Sequence, residues 1–406
     1  MMSVHRWVKG TERTLRNWVV GRHPITGFLL AMAAPVIASA QTLPGYVATE
    51  FAQVPIPSYM SFASDGTLYV GNTLDGVATK IWRVTIAGAA SPFGPNDPAE
   101  IWDPDAVLVD PTGAFTLTPG AVLVGGLGPG AIAGRIGFID PVDESYTVLF
   151  DAPSVRNPGE MKFDSTGRLI YPGQNHPSIG QTNAIMQSSG ATPQVLVDNI
   201  FAVALTIDST DRILTVNVST GALLRFLPNG TSDPLPVPVF LAPTTSSLER
   251  GVGSRFPAYL YAIDDGDFLA IDVNGNSQSI GSGFSPYLDF AFNPANGLLY
   301  LSDPNAQRIV RLDPDCDNNG IPDQSDIANC PPNDPSCGDC NANNIPDECD
   351  IAECPGAPAC EDGNSNGVPD GCESQPIPAV STWGLVVLVI GLTTAGTCVF
   401  RRHCVT

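Results

Sequence analysis

Three copies of a twelve-residue acidic pattern lie between residues 315 and 373, and their residue types could bind a metal ion. Each copy has an oxygen-bearing side chain at positions 1, 3, 5, 9 and 12. This is the ligand spacing of a calcium-binding loop, in which the carbonyl of position 7 completes the shell. The pattern therefore predicts about three Ca²⁺ sites. The predicted ligands are Asp315, Asp317, Asn319, Ile321, Asp323 and Asp326, then Asp339, Asn341, Asn343, Ile345, Asp347 and Asp350, then Asp362, Asn364, Asn366, Val368, Asp370 and Glu373.

Position 6 of each loop needs a sharp turn, which residues that tolerate positive φ can make. The residues at this position are Gly320, Asn344 and Gly367. Three copies in register favour a metal-binding function over chance.

The charge of the chain is concentrated in the same region. The net charge is −22, and 15 of the 41 acidic residues lie between Asp313 and Ser374, where no Lys or Arg occurs. Such a segment is either disordered or neutralised by cations, and the ligand spacing favours cations. A chain with no basic region outside its termini is not expected to bind nucleic acid.

All ten cysteines follow Asp315, and eight of them alternate with the acidic loops. In an exported chain this predicts a disulfide framework. A zinc or iron–sulfur site is the alternative, because Cys337 and Cys340 have C-x-x-C spacing. Eight cysteines allow 105 pairings. A scheme that follows the repeat would join Cys330 to Cys337 and Cys354 to Cys360.

Both termini carry membrane signals. Basic residues, an apolar run over 25–37 and Ala38-Ser39-Ala40 predict a signal peptide over 1–40, with an uncleaved anchor as the alternative. The uncharged residues 383–400, followed by Arg401 and Arg402, predict a transmembrane helix, with a buried core helix as the alternative. The paired arginines would stay in the cytoplasm and place the rest outside it.

Residues 41–312 predict an all-β domain. A hairpin motif, Phe62-Ala-Ser-Asp-Gly-Thr-Leu68-Tyr-Val70, recurs from Phe163, Ile207 and Phe292, with weaker copies around Val124 and Tyr261. A third strand follows each hairpin, and such units at intervals of 39 to 55 residues predict a six-bladed β-propeller. The third strands are predicted at 81–84, 135–138, 184–186, 223–226, 268–271 and 309–312. Residues 46–51 could supply the outer strand of the last blade and close the ring.

The propeller region resembles the six-bladed NHL and regucalcin/gluconolactonase-like proteins through this hairpin and the Ile-x-Arg-Val strand after it. The resemblance implies a divalent metal held by Glu, Asn and Asp residues near the channel, acting on a lactone carbonyl or on water. Counting three residues back from each hairpin start gives Tyr59, Glu160, Ala204 and Asp289. Glu160 and Asp289 are the candidate catalytic ligands, with Asn175 or Asn293 as a third and His176 nearby. The competing interpretation is that Glu160 and Asp289 only cap strand ends.

Residues 313–374 resemble thrombospondin type 3 repeats, and dockerin-like loops are the near relative. Proline at position 8 (322, 346 and 369) departs from an EF-hand, and the proline-broken segments after the loops predict no exit helix. Residues 375–406, with Ile377-Pro378 and Trp383-Gly384 before the apolar span, resemble IPTL-CTERM sorting signals. The three modules together resemble planctomycete-type envelope proteins.

These observations predict a non-catalytic, exported protein of the cell envelope or cell surface. Its propeller would bind an unknown protein or glycan and would stand on a structural calcium-binding stalk (313–374). Its C-terminal helix would contact the membrane and the sorting machinery. The alternative is a metal-dependent, lactonase-like hydrolase that uses Glu160 and Asp289. A third possibility is an assembly module whose loops dock a partner.

Overall fold

The computed structural model describes residues 43–373, except 73–79, 96–102, 128–133, 152–154, 156, 175–182, 191, 243–244, 246, 254, 285–288, 333, 335, 353 and 355–359. The predicted signal peptide (1–40) and the predicted sorting segment (375–406) lie outside the described residues. None of the helices in the described part has the length and apolar character that crossing a membrane requires.

The described chain from residue 46 to residue 314 forms 24 strands in six antiparallel sheets that follow one another in sequence. The strands are β1 (Tyr46–Gln53), β2 (Pro57–Phe62), β3 (Leu68–Asn72), β4 (Ile81–Val84), β5 (Ala90–Phe93), β6 (Asp103–Asp110), β7 (Ala121–Leu127), β8 (Gly134–Ile139), β9 (Tyr146–Phe150), β10 (Asn157–Pro158), β11 (Lys162–Phe163), β12 (Leu169–Gln174), β13 (Ala184–Ser188), β14 (Gln194–Asp198), β15 (Leu205–Ile207), β16 (Ile213–Val216), β17 (Leu223–Phe226), β18 (Leu248–Glu249), β19 (Leu260–Asp264), β20 (Asp267–Ile271), β21 (Ser277–Ser282), β22 (Phe290–Phe292), β23 (Leu299–Asp303) and β24 (Arg308–Pro314). The sheets are β2–β5, β6–β9, β10–β14, β15–β17, β18–β21, and β22–β24 with β1. This is a six-bladed all-β propeller, and the prediction of its architecture is confirmed.

The repeated motif forms the inner hairpin of four blades. In three of them the first and seventh residues pair across the turn, as Phe62 with Leu68, Phe163 with Leu169 and Ile207 with Ile213, and in the copy from Phe292 the partner is the eighth residue, Leu299. In the third blade the carboxylate of Asp164 fixes this turn, because it accepts the backbone N–H groups of Thr166 (3.0 Å) and Arg168 (2.9 Å). The six predicted third strands lie within β4, β8, β13, β17, β20 and β24.

The ring closes through its two ends. Strand β1 pairs antiparallel with β24, from Tyr46 opposite Pro314 to Gln53 opposite Arg308. The first strand of the domain is thus the outer strand of the last blade, as predicted from residues 46–51. The pairing covers the edge of β24 and ties the two ends of the domain together, with β1 as the outer strand of the blade.

In the part of the chain that the structure describes, the fourth blade has three strands. The segment after β17 carries Pro234, Pro236 and Pro238, and proline has no N–H to donate to a ladder. Instead of a fourth strand, this segment makes isolated bridges, Ala222 to Phe240 and Phe226 to Ser232, and single backbone hydrogen bonds such as that from Leu223 N–H to the carbonyl of Val239 (3.0 Å).

Six clusters of buried apolar side chains hold the blades together, one between each pair of neighbours. Between the fifth and sixth blades the cluster is aromatic, and Phe268 stacks on Phe284 with ring centroids 5.2 Å apart. The innermost strands of the six blades surround the central channel.

Candidate functional site

The channel contains a cavity lined by residues from several innermost strands. Its walls come from Tyr59–Ser61 on β2, Ala106–Leu108 on β6, the segment Glu160–Lys162, and Asp289. The cavity is small, because the space open to the centre of a water-sized sphere is about 20 Å³, enough for about one water molecule. The aligned positions Tyr59, Glu160 and Asp289 therefore all reach the channel. The fourth, Ala204, is fully buried in the core between the fourth and fifth blades.

Glu160 joins the third blade to the fourth. It lies between β10 and β11, where the innermost strand of the third blade is interrupted. Its Oε2 accepts the backbone N–H of Leu205 at 2.9 Å, and its own N–H donates to the carbonyl of Val203 at 3.3 Å. Two hydrogen bonds thus connect Glu160 to the segment that enters β15.

Asp289 makes the equivalent link between the sixth blade and the first. Its Oδ2 accepts the backbone N–H of Met60 at 2.7 Å, and its own N–H donates to the hydroxyl of Ser302 at 2.9 Å. Met60 and Leu205 each follow an aligned position, Tyr59 or Ala204. The two carboxylates therefore perform the same task, accepting the corresponding N–H of the next blade.

Lys162 and Glu249 complete the channel cluster, and the sequence interpretation missed both. The Nζ atom of Lys162 lies 2.9 Å from Glu160 Oε1 and 2.5 Å from Glu249 Oε1. Glu249 is on β18, so this ion pair connects the third blade with the fifth. The Glu160-Met-Lys162 spacing was a usable signal for Lys162, because residues i and i+2 of an extended segment share a face.

Burial and charge set the protonation of this cluster. Burial, together with repulsion from Glu249 and Asp289, raises the pKa of Glu160 against the attraction of Lys162. Burial also raises the pKa of Asp289 to about 7, although Ser247, Lys162 and the N–H of Met60 oppose it. Burial lowers the pKa of Lys162, but Glu160 and Glu249 outweigh this effect and raise it, so the ammonium stays charged.

One acceptor in the channel lacks a well-formed hydrogen bond. Among the described residues, neither Asp289 Oδ1 nor Ser247 Oγ has a partner with full hydrogen-bond geometry, although the Ser247 hydroxyl is close enough to Asp289 to oppose the rise in its pKa. A carboxyl with a pKa near 7 can take up a proton, which removes its buried charge and turns one oxygen into a hydrogen-bond donor. This oxygen alone is too little for a divalent ion, which needs several oxygen or nitrogen ligands.

The channel residues do not fit the divalent metal that the gluconolactonase-like resemblance implies. Lys162 places a positive charge between Glu160 and Glu249, and both oxygens of Glu160 already accept hydrogen bonds or an ion pair. Asn293 is not beside Glu160, because its Oδ1 accepts the N–H of Ala295 in the turn after β22. Asn175 and His176 lie outside the described residues.

The three acidic loops have one common conformation. In each, the position 1 carboxylate accepts the N–H of position 6, from Gly320 to Asp315 (3.0 Å), Asn344 to Asp339 (2.9 Å) and Gly367 to Asp362 (2.8 Å). The φ angles at position 6 are 86°, 66° and 82°, as the residue types predict.

The side chains at the other ligand positions converge. The amide of position 5 reaches the carboxylate of position 12 in all three loops, from Asn319 to Asp326 (2.7 Å), Asn343 to Asp350 (2.9 Å) and Asn366 to Glu373 (2.5 Å). Burial and neighbouring carboxylates raise the pKa values of Asp315, Asp323 and Asp347. An oxygen-rich, negatively charged set fits a hard cation such as Ca²⁺ once the amides turn their oxygens inward.

Four disulfides link the loops. The bonds are Cys316–Cys349, Cys330–Cys337, Cys340–Cys372 and Cys354–Cys360. The two short pairings agree with the repeat-following scheme, and each of the other two joins position 2 of one loop to position 11 of the next. The zinc alternative is wrong for Cys337 and Cys340, since a disulfide leaves no thiolate to bind metal.

The expectation of no exit helices is also wrong. Helix α1 (Asp323–Asn329) and helix α2 (Asp347–Ala352) begin at position 9 of the first two loops. The prolines expected to break a helix after the first loop, at 331 and 332, come after α1 has ended, and Pro322 and Pro346 precede the first helical residue, where a missing N–H costs nothing. Both helices are only about 9–11 Å long.

Fold and channel together define a six-bladed β-propeller with a disulfide-rich C-terminal region. Its solved neighbours include a gluconolactonase from Xanthomonas campestris, with a TM-score of 0.50, 13% identity, and coverage of 67% of this chain and 91% of that one. Another putative gluconolactonase has a TM-score of 0.49 and 10% identity, covering 68% and 94% of the two chains. A streptogramin B lyase has a TM-score of 0.46 and 12% identity, covering 66% and 98%.

At these identities the likeness describes the fold and does not extend to the activity. No protein-family model matches the chain, and no curated protein matches its sequence.

Proposed function

We propose that this chain is an exported binding or scaffold protein of the cell envelope. Its propeller would be displayed on a stalk, residues 313–374, that bound calcium stabilises. The observation that carries the proposal is the serial arrangement of three equivalent loops, in which disulfides join each loop to the next. The propeller face would bind a protein or glycan, and the segment after residue 374 would hold the chain at the membrane.

The physical argument concerns what can hold the stalk together. Among its described residues, the buried apolar side chains are only Pro346, Cys349 and Pro369, so no ordinary core forms. Uncompensated acidic residues repel one another, and bound Ca²⁺ would remove that repulsion. In the channel, Glu160 and Asp289 connect blades, which is a structural task and needs no substrate.

Calcium binding to the full chain tests the stalk. We expect equilibrium dialysis to give about three Ca²⁺ ions per chain at millimolar calcium, and calcium to protect residues 313–373 from proteolysis. The triple variant Asp315→Asn, Asp339→Asn, Asp362→Asn should lose both effects. The control Asp334→Asn lies in the same segment outside the ligand positions and should keep them. No bound calcium in the unaltered chain would refute this stalk.

Location needs a separate experiment. Protease added to intact cells that produce the chain should cleave the propeller or stalk without lysis if the protein is displayed. Protection of the whole chain until lysis would contradict display on the cell surface.

The second candidate is a lactonase-like hydrolase. It is favoured by Glu160 and Asp289, which line a cavity that opens to solvent in a fold shared with gluconolactonases. Hydrolysis of sugar lactones by the full chain, abolished in Glu160→Gln and Asp289→Asn, would support it. Hydrolysis at the buffer rate would retire it for that substrate class.

A further inference from the structure

We infer that the ammonium group of Lys162 takes the place of a divalent ion in this channel, so that the propeller carries its own built-in cation. The inference concerns the propeller alone and does not depend on the calcium loops.

The position of the ammonium carries the argument. Nζ of Lys162 contacts Glu160 Oε1 at 2.9 Å and Glu249 Oε1 at 2.5 Å, which is the bridging contact that a metal between two carboxylates would make. The side chain of Lys162 is 20% exposed and that of Glu160 is 8% exposed, so water does little to weaken this pair. Asp289 lines the same cavity as Glu160 and Lys162.

Charge accounts for the exclusion of a second cation. A divalent ion at the cavity wall would lie beside a fixed positive charge in a poorly solvated site, where repulsion is strong. Glu160 also offers few free lone pairs, because Oε2 is held by the N–H of Leu205. The ammonium neutralises the carboxylates. Because it is part of the chain, neither chelators nor dilution can remove it.

A consequence follows for variants that lack the charge. Without the Lys162 ammonium, the oxygens of Glu160 and Glu249 that it bridges would lose their shared counter-charge, and Asp289 would remain on the wall of the cavity that Glu160 lines. Carboxylate oxygens, with water completing the shell, suit a divalent ion such as Mn²⁺. Lys162→Ala should therefore gain a metal site that the unaltered chain lacks.

The test counts Mn²⁺ ions bound to full-length protein by equilibrium dialysis. We expect Lys162→Ala to bind one more Mn²⁺ than the unaltered chain, and the double variant Lys162→Ala, Glu160→Gln to lose that extra ion. Lys162→Arg keeps the charge and should match the unaltered chain. Because all variants share the same acidic loops, Mn²⁺ bound there cancels in the comparison. An unchanged count in folded Lys162→Ala would overturn the inference.

A second measurement covers the case in which Lys162→Ala does not fold. Glu160→Gln and Asp289→Asn are made in the chain that retains Lys162, and each should leave the Mn²⁺ count unchanged. A loss of one ion in either variant would mean that the channel already holds a metal beside Lys162, and the inference would fail. These outcomes do not depend on whether the loops bind calcium, so they are distinguishable from failure of the proposed stalk.

Discussion

The backbone N–H of Asp315 donates a 2.9 Å hydrogen bond to the carbonyl oxygen of Gly45. Asp315 is position 1 of the first acidic loop, and Gly45 immediately precedes β1, the strand that closes the ring. The N–H of Gly45 in turn donates to Asn318 Oδ1 at 2.9 Å. The first loop is therefore fastened to the closing strand by two hydrogen bonds, and β24 leads directly into it.

This contact predicts that calcium stabilises ring closure. An ion bound by the first loop would fix Asp315 and Asn318, and so would hold Gly45 and the start of β1. At calcium concentrations ten to a hundred times the dissociation constant, we expect a gain of about 1–3 kcal/mol in the free energy of unfolding. Calorimetry of the full chain with calcium or with chelator measures it as a shift in the Tm of the propeller.

The control compares substitutions in the first and third loops for their effect on the Tm shift. Asp315→Asn should abolish most of the calcium-dependent shift, whereas Asp362→Asn, in the third loop, should leave the shift of the propeller intact. Equal effects of the two substitutions would contradict a special role for the first loop.

The disulfides predict a ranking of stability. Cys316–Cys349 closes a separation of 33 residues and Cys330–Cys337 one of 7 residues. In the chain-entropy model, loss of the longer link costs about 4 kcal/mol and loss of the shorter about 2 kcal/mol. Variants in which both cysteines of one bond are replaced by Ser should show this order. The measurement is amide hydrogen exchange of residues 313–373 at increasing urea concentration. The reverse order would mean that local strain or residual structure outweighs loop entropy.

Much of the propeller could be predicted because each blade repeats local information. The turn residues Asp164 and Gly167 and the alternation around Phe163 are readable within ten residues. Ring closure was also predictable, since an unpaired edge on the last blade requires a partner. The three-stranded fourth blade was not predicted. Its physical reason is that Pro234, Pro236 and Pro238 have no N–H to donate to a neighbouring strand.

The channel cluster was harder to predict because its contacts cross the ring. Glu160 and Asp289 follow from the repeat alignment, and Lys162 could have followed from its spacing to Glu160. Glu249 lies 87 residues from Lys162. Only the closed geometry of the propeller brings the third and fifth blades together there. The two short helices were not predictable from the segments after the loops, because they begin inside the loops at Asp323 and Asp347 and the first ends before Pro331.

Lys162→Met predicts how much the buried charge matters for stability. Methionine keeps the length of the side chain but leaves Glu160 and Glu249 without their cation. Breaking a buried ion pair in this way costs about 3–5 kcal/mol, measurable by urea unfolding at neutral pH. Lys162→Arg should lose much less, since it retains the charge. If Met and Arg variants were equally stable, the ion pair would contribute little.

Asp289 predicts how stability changes with pH. Its pKa rises from an ordinary value of 3.8 to about 7 on folding, mainly through burial. Below the ordinary value both folded and unfolded chains carry the proton, so folding is unaffected. As pH rises from about 4 to about 7, the unfolded carboxyl ionises while the folded one keeps its proton, and stability falls.

Asp289→Asn removes this ionisation and keeps an oxygen for the N–H of Met60. Between pH 4.5 and 7.5 the Tm of Asp289→Asn should therefore fall less than that of the unaltered chain, whereas the exposed control Asp267→Asn should follow the unaltered chain. Parallel curves for all three proteins would show that Asp289 is ionised in the folded state throughout, and the proton would then have no part in satisfying Oδ1.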